Sequence, residues 1–159
     1  MARVWRFGDH VSTDAITPGR MNVTTDEAVL ARACFAEDRP ELRDQARPGD
    51  VIVAGGDFGC GSSRESAPRA IKALGLSVVA ASYGSIFYRN AVNIGLPVFI
   101  SAEAVTALSD GDAVTLDAEA GTLAGPTGDL RLEGATGVLA GIVAAGGIVP
   151  YVRSRGGRL

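Results

Sequence analysis

The groups best suited to chemistry are concentrated in Gly55-Gly56-Asp57-Phe58-Gly59-Cys60-Gly61-Ser62-Ser63-Arg64-Glu65. Four glycines free the backbone, and two hydroxyls and a guanidinium follow at the start of a helical segment. Unpaired N–H groups and the helix dipole favour an anion there. Arg64 can grip a carboxylate or phosphate with two parallel hydrogen bonds. One alternative is a glycine-rich turn in which Ser62 or Ser63 is an ordinary N-cap; the full combination favours an anion site. The stretch is not a Walker A loop, because Ser62 stands where that loop requires Lys. It lacks the third glycine of a dinucleotide fingerprint, and it does not read Gly-x-Ser-x-Gly. A thiolate at Cys60 would have to recruit His10 as its base, and nothing local supports that against a small buried Cys.

Two further segments carry polar groups. Gly8-Asp9-His10-Val11-Ser12-Thr13-Asp14 leads into Pro18-Gly19-Arg20, and by itself reads equally as a solvated loop with Asx and Ser/Thr turns. In Tyr83-Gly84-Ser85-Ile86-Phe87-Tyr88-Arg89-Asn90-Ala91-Val92-Asn93, residues Ile86, Phe87 and Asn90 share a helical face, while Tyr88 and Arg89 point elsewhere. Core packing with a partner-facing edge explains that pattern, and a buried Asn90 at a site mouth is the alternative.

These segments need a scaffold, and the periodicity supplies one. Val4–Phe7, Val51–Ala54, Ser77–Ala81 and Val98–Ile100 are short apolar runs that read as buried strands. Helices are expected over Ala28–Phe35, behind a Thr24/Glu27 capping box, and over 65–74 with Gly75 as its stop. Ile86–Ile94, Ala102–Leu108 and Gly137–Ala145 read as further helices, and Arg39–Gly49 as a loop holding at most one helical turn. The strand–helix alternation from Val51 to Leu108 argues parallel pairing. Ala113–Asp117, Thr122–Leu123 and Leu130–Glu133 read as antiparallel strands between turns. The expectation is one α/β domain over 1–159, a mixed sheet with flanking helices, and a loose tail from 151 to 159.

Composition limits the rest. The chain has 159 residues, 47% hydrophobic and 21% charged, with net charge −3, which suits one core and gives no electrostatic case for nucleic acid or an anionic membrane. One His and two Cys, Cys34 and Cys60, are too few for a zinc site or a disulfide scaffold, so no metal is expected on this chain and a reducing cytoplasm is expected. Glycine is the outlier, 21 residues, about twice its usual share. No targeting or membrane-spanning segment is read.

Taken in order, Thr13-Asp14, the Gly55–Glu65 motif and Ile86-Phe87-Tyr88-Arg89-Asn90 with Gly95-Leu96-Pro97 resemble the small subunit of 3-isopropylmalate dehydratase, the free-standing swivelling domain of the aconitase superfamily. The resemblance runs from Val4 to Val149. It implies a swivelling β/β/α fold and a cluster-bearing large subunit as partner, in a heterodimer or heterotetramer. The [4Fe–4S] cluster would be held by that partner and not by this chain. It also implies dehydration and rehydration of a 2-hydroxy di- or tricarboxylate, 3-isopropylmalate of leucine biosynthesis first. Within that reading Ser62 is the base, with Asp14 and Arg64 in the catalytic set. Ser63, Arg64, Arg20, Gly61 and Thr13 bind substrate, and the glycine turn lets a doubly charged substrate approach the main chain. Two positions depart from the family: Ser66 stands where His is usual, and Met21-Asn22-Val23 follows Arg20 where Tyr-Leu is frequent. The second departure keeps 2,3-dimethylmalate, methylmalate and homoaconitate hydro-lyases open as relatives. A non-enzymatic anion-binding module, and a self-contained hydrolase using Cys60 or Ser62 with His10, are the rivals from other classes. Self-association of the isolated chain is also expected.

Overall fold

Four short parallel strands form the centre of the structure, a computed structural model that describes residues 1–19 and 24–156. They are β1 (Ala2–Arg6), β2 (Val51–Ala54), β3 (Ser77–Ala80) and β4 (Val98–Ile100). Their register pairs Val4 with Val51, Ile52 with Val78 and Val79 with Phe99. Each strand is apolar at successive positions because both of its faces are covered. Trp5, Ile52, Ala54, Val78 and Ala80 enter one core, and Val4, Val51, Val53 and Val79 enter the other. Beyond β1 the sheet continues as an antiparallel meander of β5 (Ala113–Asp117), β6 (Thr122–Gly125) and β7 (Gly128–Arg131). The seven strands run in the order β4-β3-β2-β1-β5-β6-β7.

Helices α2 (Glu27–Ala33), α4 (Ser66–Ala73), α5 (Ser85–Ile94), α7 (Gly137–Ala145) and α8 (Ile148–Ser154) cover the first core through Leu30, Ile71, Phe87, Ile142 and Tyr151. The second core is closed by α6 (Ala102–Ala107) and the meander, through Ala104, Leu108, Leu123 and Leu130. Two short helices, α1 (Thr13–Ile16) and α3 (Glu41–Gln45), lie in the connections. Asp50 is a buried carboxylate at the foot of β2, and it accepts hydrogen bonds from the Arg3 and Arg47 main-chain N–H groups and from Trp5 Nε1. Those three donors meet the requirement that a buried charge be hydrogen-bonded.

Several boundaries differ from expectation for local reasons. Asp26 caps α2, accepting from the Ala28 and Val29 N–H groups, while Thr24 Oγ1 accepts from the Asp26 N–H; the capping box at Thr24 and Glu27 does not form. That helix stops at Ala33, and Phe35 lies at φ +52°. The tail expected from 151 is helical as far as Ser154, because Tyr151 is buried against the first core and Arg155 lies over its ring. Ile86 is 46% exposed, so the shared face of Ile86, Phe87 and Asn90 does not face the core; Phe87, Ala91 and Val92 do.

Candidate functional site

Parallel strands deliver their following loops to the same end of a sheet, where α/β proteins bind ligands. Here the loops after β1, β2 and β3 meet there and are laced together through main-chain groups. The 8–14 loop runs beside the 55–64 loop: the Gly55 N–H donates to Gly8 O, His10 N–H to Gly56 O, Gly59 N–H to Val11 O and Thr13 N–H to Cys60 O. Asp9 Oδ1 accepts from the Gly56 N–H at 2.7 Å. The third loop supports the second from the other side, with Ser82 Oγ accepting from the Asp57 N–H and Gly84 N–H donating to Phe58 O. Phe58 is fully buried, edge-on to the stacked rings of Tyr83 and Phe87, and anchors the turn in the core.

This packing revises the reason for the glycines. A side chain on Gly59 would collide with Phe87, and one on Gly55 with Asp9. Those two glycines make room for protein atoms, so they do not provide an opening for substrate. Gly61 is different: it is exposed, at φ +94°, and the nearest atom to a Cβ there is Thr13 Oγ1 at 3.7 Å. Of the two glycines that flank Cys60, only Gly61 leaves its face open to an incoming molecule.

Ser62 and Ser63 are exposed, and their hydroxyls have no hydrogen-bond partner among the described residues. Neither caps α4, whose first helical residue is Ser66 and whose cap position, Glu65, makes no side-chain capping bond and pairs with Arg69 instead. The helix therefore starts later than the expected residue 65, and Pro68 in its first turn supplies no N–H. Dipole effects fade within the first turn, so α4 contributes position more than field at Ser62. Arg64 lies over Gly19 and forms an ion pair with Asp14, Nη1 to Oδ1. Asp14 and Arg64 are thus brought together beside Ser62 and Ser63. Arg20 and the 21–23 segment lie outside the described residues.

Thr13 sits differently from expectation. Its side chain is buried, and Oγ1 donates to the Ser62 carbonyl at 2.9 Å, so its one donor is already committed within the chain. Ser66 is also buried, with its hydroxyl 3.2 Å from Thr17 Oγ1. His10 pairs with Asp57 at 3.3 Å rather than with Cys60 or Ser62, and both are substantially exposed. That geometry provides no base for a Cys60 or Ser62 hydrolase. Thr17, Ser82 and Gly84 were absent from the sequence-derived set: each is an unremarkable residue in a turn, and only its neighbour in space makes it part of the site.

No group of three or more His, Cys, Asp or Glu side chains that could hold a metal ion occurs among the described residues. Cys34 is fully buried in the first core, where desolvation pushes its thiol well above the ordinary range, and Cys60 is half-buried in the turn. These residues do not fit an iron–sulfur cluster. The Ser62–Ser63 surface is open to solvent, and nearby cavities have other walls; one of about 410 Å³ is lined by Glu65, Arg69, Lys72, Asn90 and Asn93.

Comparison with known proteins adds to this geometry. The family described as Aconitase C-terminal domain matches residues 17–103. The 3-isopropylmalate dehydratase small subunit of Heliobacterium modesticaldum is 44% identical over 158 residues, 96% of this chain and 94% of that protein. Its counterpart from Moorella thermoacetica is 47% identical over 154 residues, 92% of this chain and 90% of the relative. The 2,3-dimethylmalate dehydratase small subunit of Eubacterium barkeri is 42% identical over 154 residues, 95% of this chain and 94% of the relative. The crystal structure of 3-isopropylmalate dehydratase from Methanocaldococcus jannaschii matches with a TM-score of 0.91 and 42% identity, covering 98% of this chain and 93% of that one. The mixed sheet with flanking helices is therefore the swivel-domain fold. A family match over more than half of the chain, with relatives covered almost end to end, places this chain in the aconitase C-terminal domain family, as a small subunit of the dehydratase (hydro-lyase) type.

Proposed function

We propose that this chain is the substrate-closing small subunit of a heteromeric dehydratase that isomerises a 2-hydroxy dicarboxylate, 3-isopropylmalate in leucine biosynthesis, by loss and return of water. The observation that carries the reading is the exposed Ser62-Ser63 pair followed by the half-buried Arg64, on a turn fixed by main-chain hydrogen bonds, in a chain matched to such subunits over nearly all its length. In this reading the chain acts as one swivelling unit in the cytoplasm, paired with a large subunit as a heterodimer or heterotetramer. The large subunit holds a [4Fe–4S] cluster, which supplies Lewis acidity toward the leaving hydroxyl.

Ser62 Oγ takes the carbon-bound proton of the substrate and returns it during rehydration. An isolated serine hydroxyl is a very weak base, so its alkoxide must be stabilised in place. Arg64, two residues on, and the main-chain N–H groups of the open Gly61 turn act as an oxyanion hole would. Ser63 and Arg64 hold a substrate carboxylate, with Arg20 as a further contact. Asp14 occupies Arg64 in the free subunit, and the substrate carboxylate takes its place as the complex closes. Excluding water between the two subunits strengthens each of these contacts.

A second substrate, 2,3-dimethylmalate, is favoured by the Met21-Asn22-Val23 departure and by the 42% identical subunit from Eubacterium barkeri. The test is co-expression with the large subunit encoded with this chain, followed by an alkene-absorbance assay on 3-isopropylmalate, 2,3-dimethylmalate and homocitrate. Turnover of one of these, with complete loss in Ser62→Ala and unchanged assembly, is the expected result. A reconstituted complex that dehydrates none of them, or a Ser62→Ala complex of undiminished activity, overturns the reading.

A further inference from the structure

We infer that Thr13 is a positioning residue for Ser62, a role that rests on Ser62 being the base. The Ser62 side chain is exposed and makes no hydrogen bond among the described residues, so only its main chain can fix where the hydroxyl points. That main chain follows Gly61, at φ +94°, a residue with little intrinsic stiffness. Thr13 grips the chain on both sides of it: its N–H donates to the Cys60 carbonyl at 2.9 Å and its Oγ1 donates to the Ser62 carbonyl at 2.9 Å. One residue thus fixes the two carbonyls that bracket Gly61.

A second rung holds the same segment further along. Thr17, the extended C-cap residue just past α1, lies four residues after Thr13, and its hydroxyl meets that of Ser66, four residues after Ser62. Both pairs have the same separation of 49 in sequence, so α1 lies in register against 62–66. Thr13 is 1% exposed, Thr17 0% and Ser66 8%, so the Thr17–Ser66 rung is buried; the Thr13–Ser62 rung is part-buried, with its donor hydroxyl shielded from water. The Asp14–Arg64 ion pair lies on the outer side of the same contact, where substrate can reach it. The buried hydroxyls of Thr13 and of the cap residue Thr17 therefore set the geometry, and the exposed carboxylate of Asp14 faces the chemistry.

The test compares Thr13→Val, which keeps the shape and removes the hydroxyl, with Thr13→Ser, which restores it. In the assembled complex Thr13→Val lowers kcat by about tenfold or more, the scale of a misplaced catalytic group. KM stays within about twofold, because Arg64 and Ser63 are not displaced to the same degree. Thr13→Ser recovers most of the rate. Hydrogen exchange across residues 60–66 of the isolated chain accelerates in Thr13→Val and not in Thr13→Ser. Wild-type kcat in Thr13→Val, or equal losses in both variants, overturns the inference. Unchanged exchange in Thr13→Val overturns it too, even if the reconstituted complex shows no dehydratase activity. Activity that is lost in Ser62→Ala but intact in Thr13→Val leaves the functional reading standing and removes Thr13 from its role.

Discussion

Replacing Gly59 by Ala is the sharpest single test of how the turn is built. The residue sits at φ +80°, and a Cβ there would lie 2.5 Å from both Cβ and Cδ2 of Phe87, closer still to Cγ. Phe87 cannot yield cheaply, since it is 2% exposed, edge-on to Phe58 and stacked on Tyr83. Two costs add. Holding an L-residue in the left-handed region costs about 1–2 kcal/mol, and forcing extra volume into a filled core costs about 1–3 kcal/mol. The sum, about 2–5 kcal/mol, is a large fraction of the ~5–15 kcal/mol that stabilises a typical domain. At an unfolding entropy near 2 cal/mol/K per residue, a chain of this length should lose about 6–15 °C in Tm. Circular dichroism melts of the isolated subunit measure this directly. Gly56→Ala is the control: its φ is ordinary and its nearest neighbour, Ser82 Oγ, is 3.4 Å away, so its Tm should move by only a few degrees. A Gly59→Ala protein melting within 2 °C of wild type would refute the packing argument, and with it the claim that this glycine serves the core rather than the substrate.

Arg64→Lys should raise KM of the reconstituted enzyme by about tenfold or more with folding intact, because an ammonium keeps the charge and loses the planar fork; an unchanged KM would remove Arg64 from carboxylate binding. Acid stability should depend on Asp110. Partial burial pushes its carboxyl up, but the Arg6 N–H and the Arg39 guanidinium outweigh that and hold it below the usual carboxylate range. A depressed folded-state value means that this stabilisation is present above the ordinary carboxylate range and is lost as pH falls through the folded-state value. Asp110→Asn should therefore lower Tm near neutral pH and flatten its fall on acidification, by an amount under about 1 kcal/mol at this exposed pair; parallel Tm-versus-pH curves would contradict it. Thiol labelling of the native subunit should modify Cys60 and spare Cys34, with the second thiol reacting only in denaturant, because Cys34 is fully buried; rapid labelling of both would contradict the burial of Cys34.

In the proposed reading the arrangement at Ser62 is half of a site. Two serines stand on an open surface, the half-buried arginine beside them pairs with an exposed carboxylate, and no metal-ligand cluster occurs among the described residues. Rigid support from below and openness above are the properties expected of a lid whose second wall is another subunit.

What the sequence determined by itself follows from local rules. Continuous apolar runs such as Val51–Ala54 are strands because both faces are buried, and the glycine stop at Gly95 is a left-handed C-cap. The Ser62-Ser63-Arg64 segment stands out in the sequence because two hydroxyls and a guanidinium follow four glycines between a strand and a helix. Other features depended on distant contacts. Asp26 displaced Thr24 as a cap through a competition that spacing does not reveal. The 151–154 segment is helical because Tyr151 finds a core to enter. Thr13 enters the sequence reading as a substrate contact implied by the resemblance, and its bond to the Ser62 carbonyl exists only because α1 lies against residues 49 positions away. The glycines also divide in space rather than in sequence: Gly59 is filled by Phe87 and Gly61 is left open. Composition can demand flexible backbone, but only the packing around the turn decides which glycine is filled by protein atoms and which is left open.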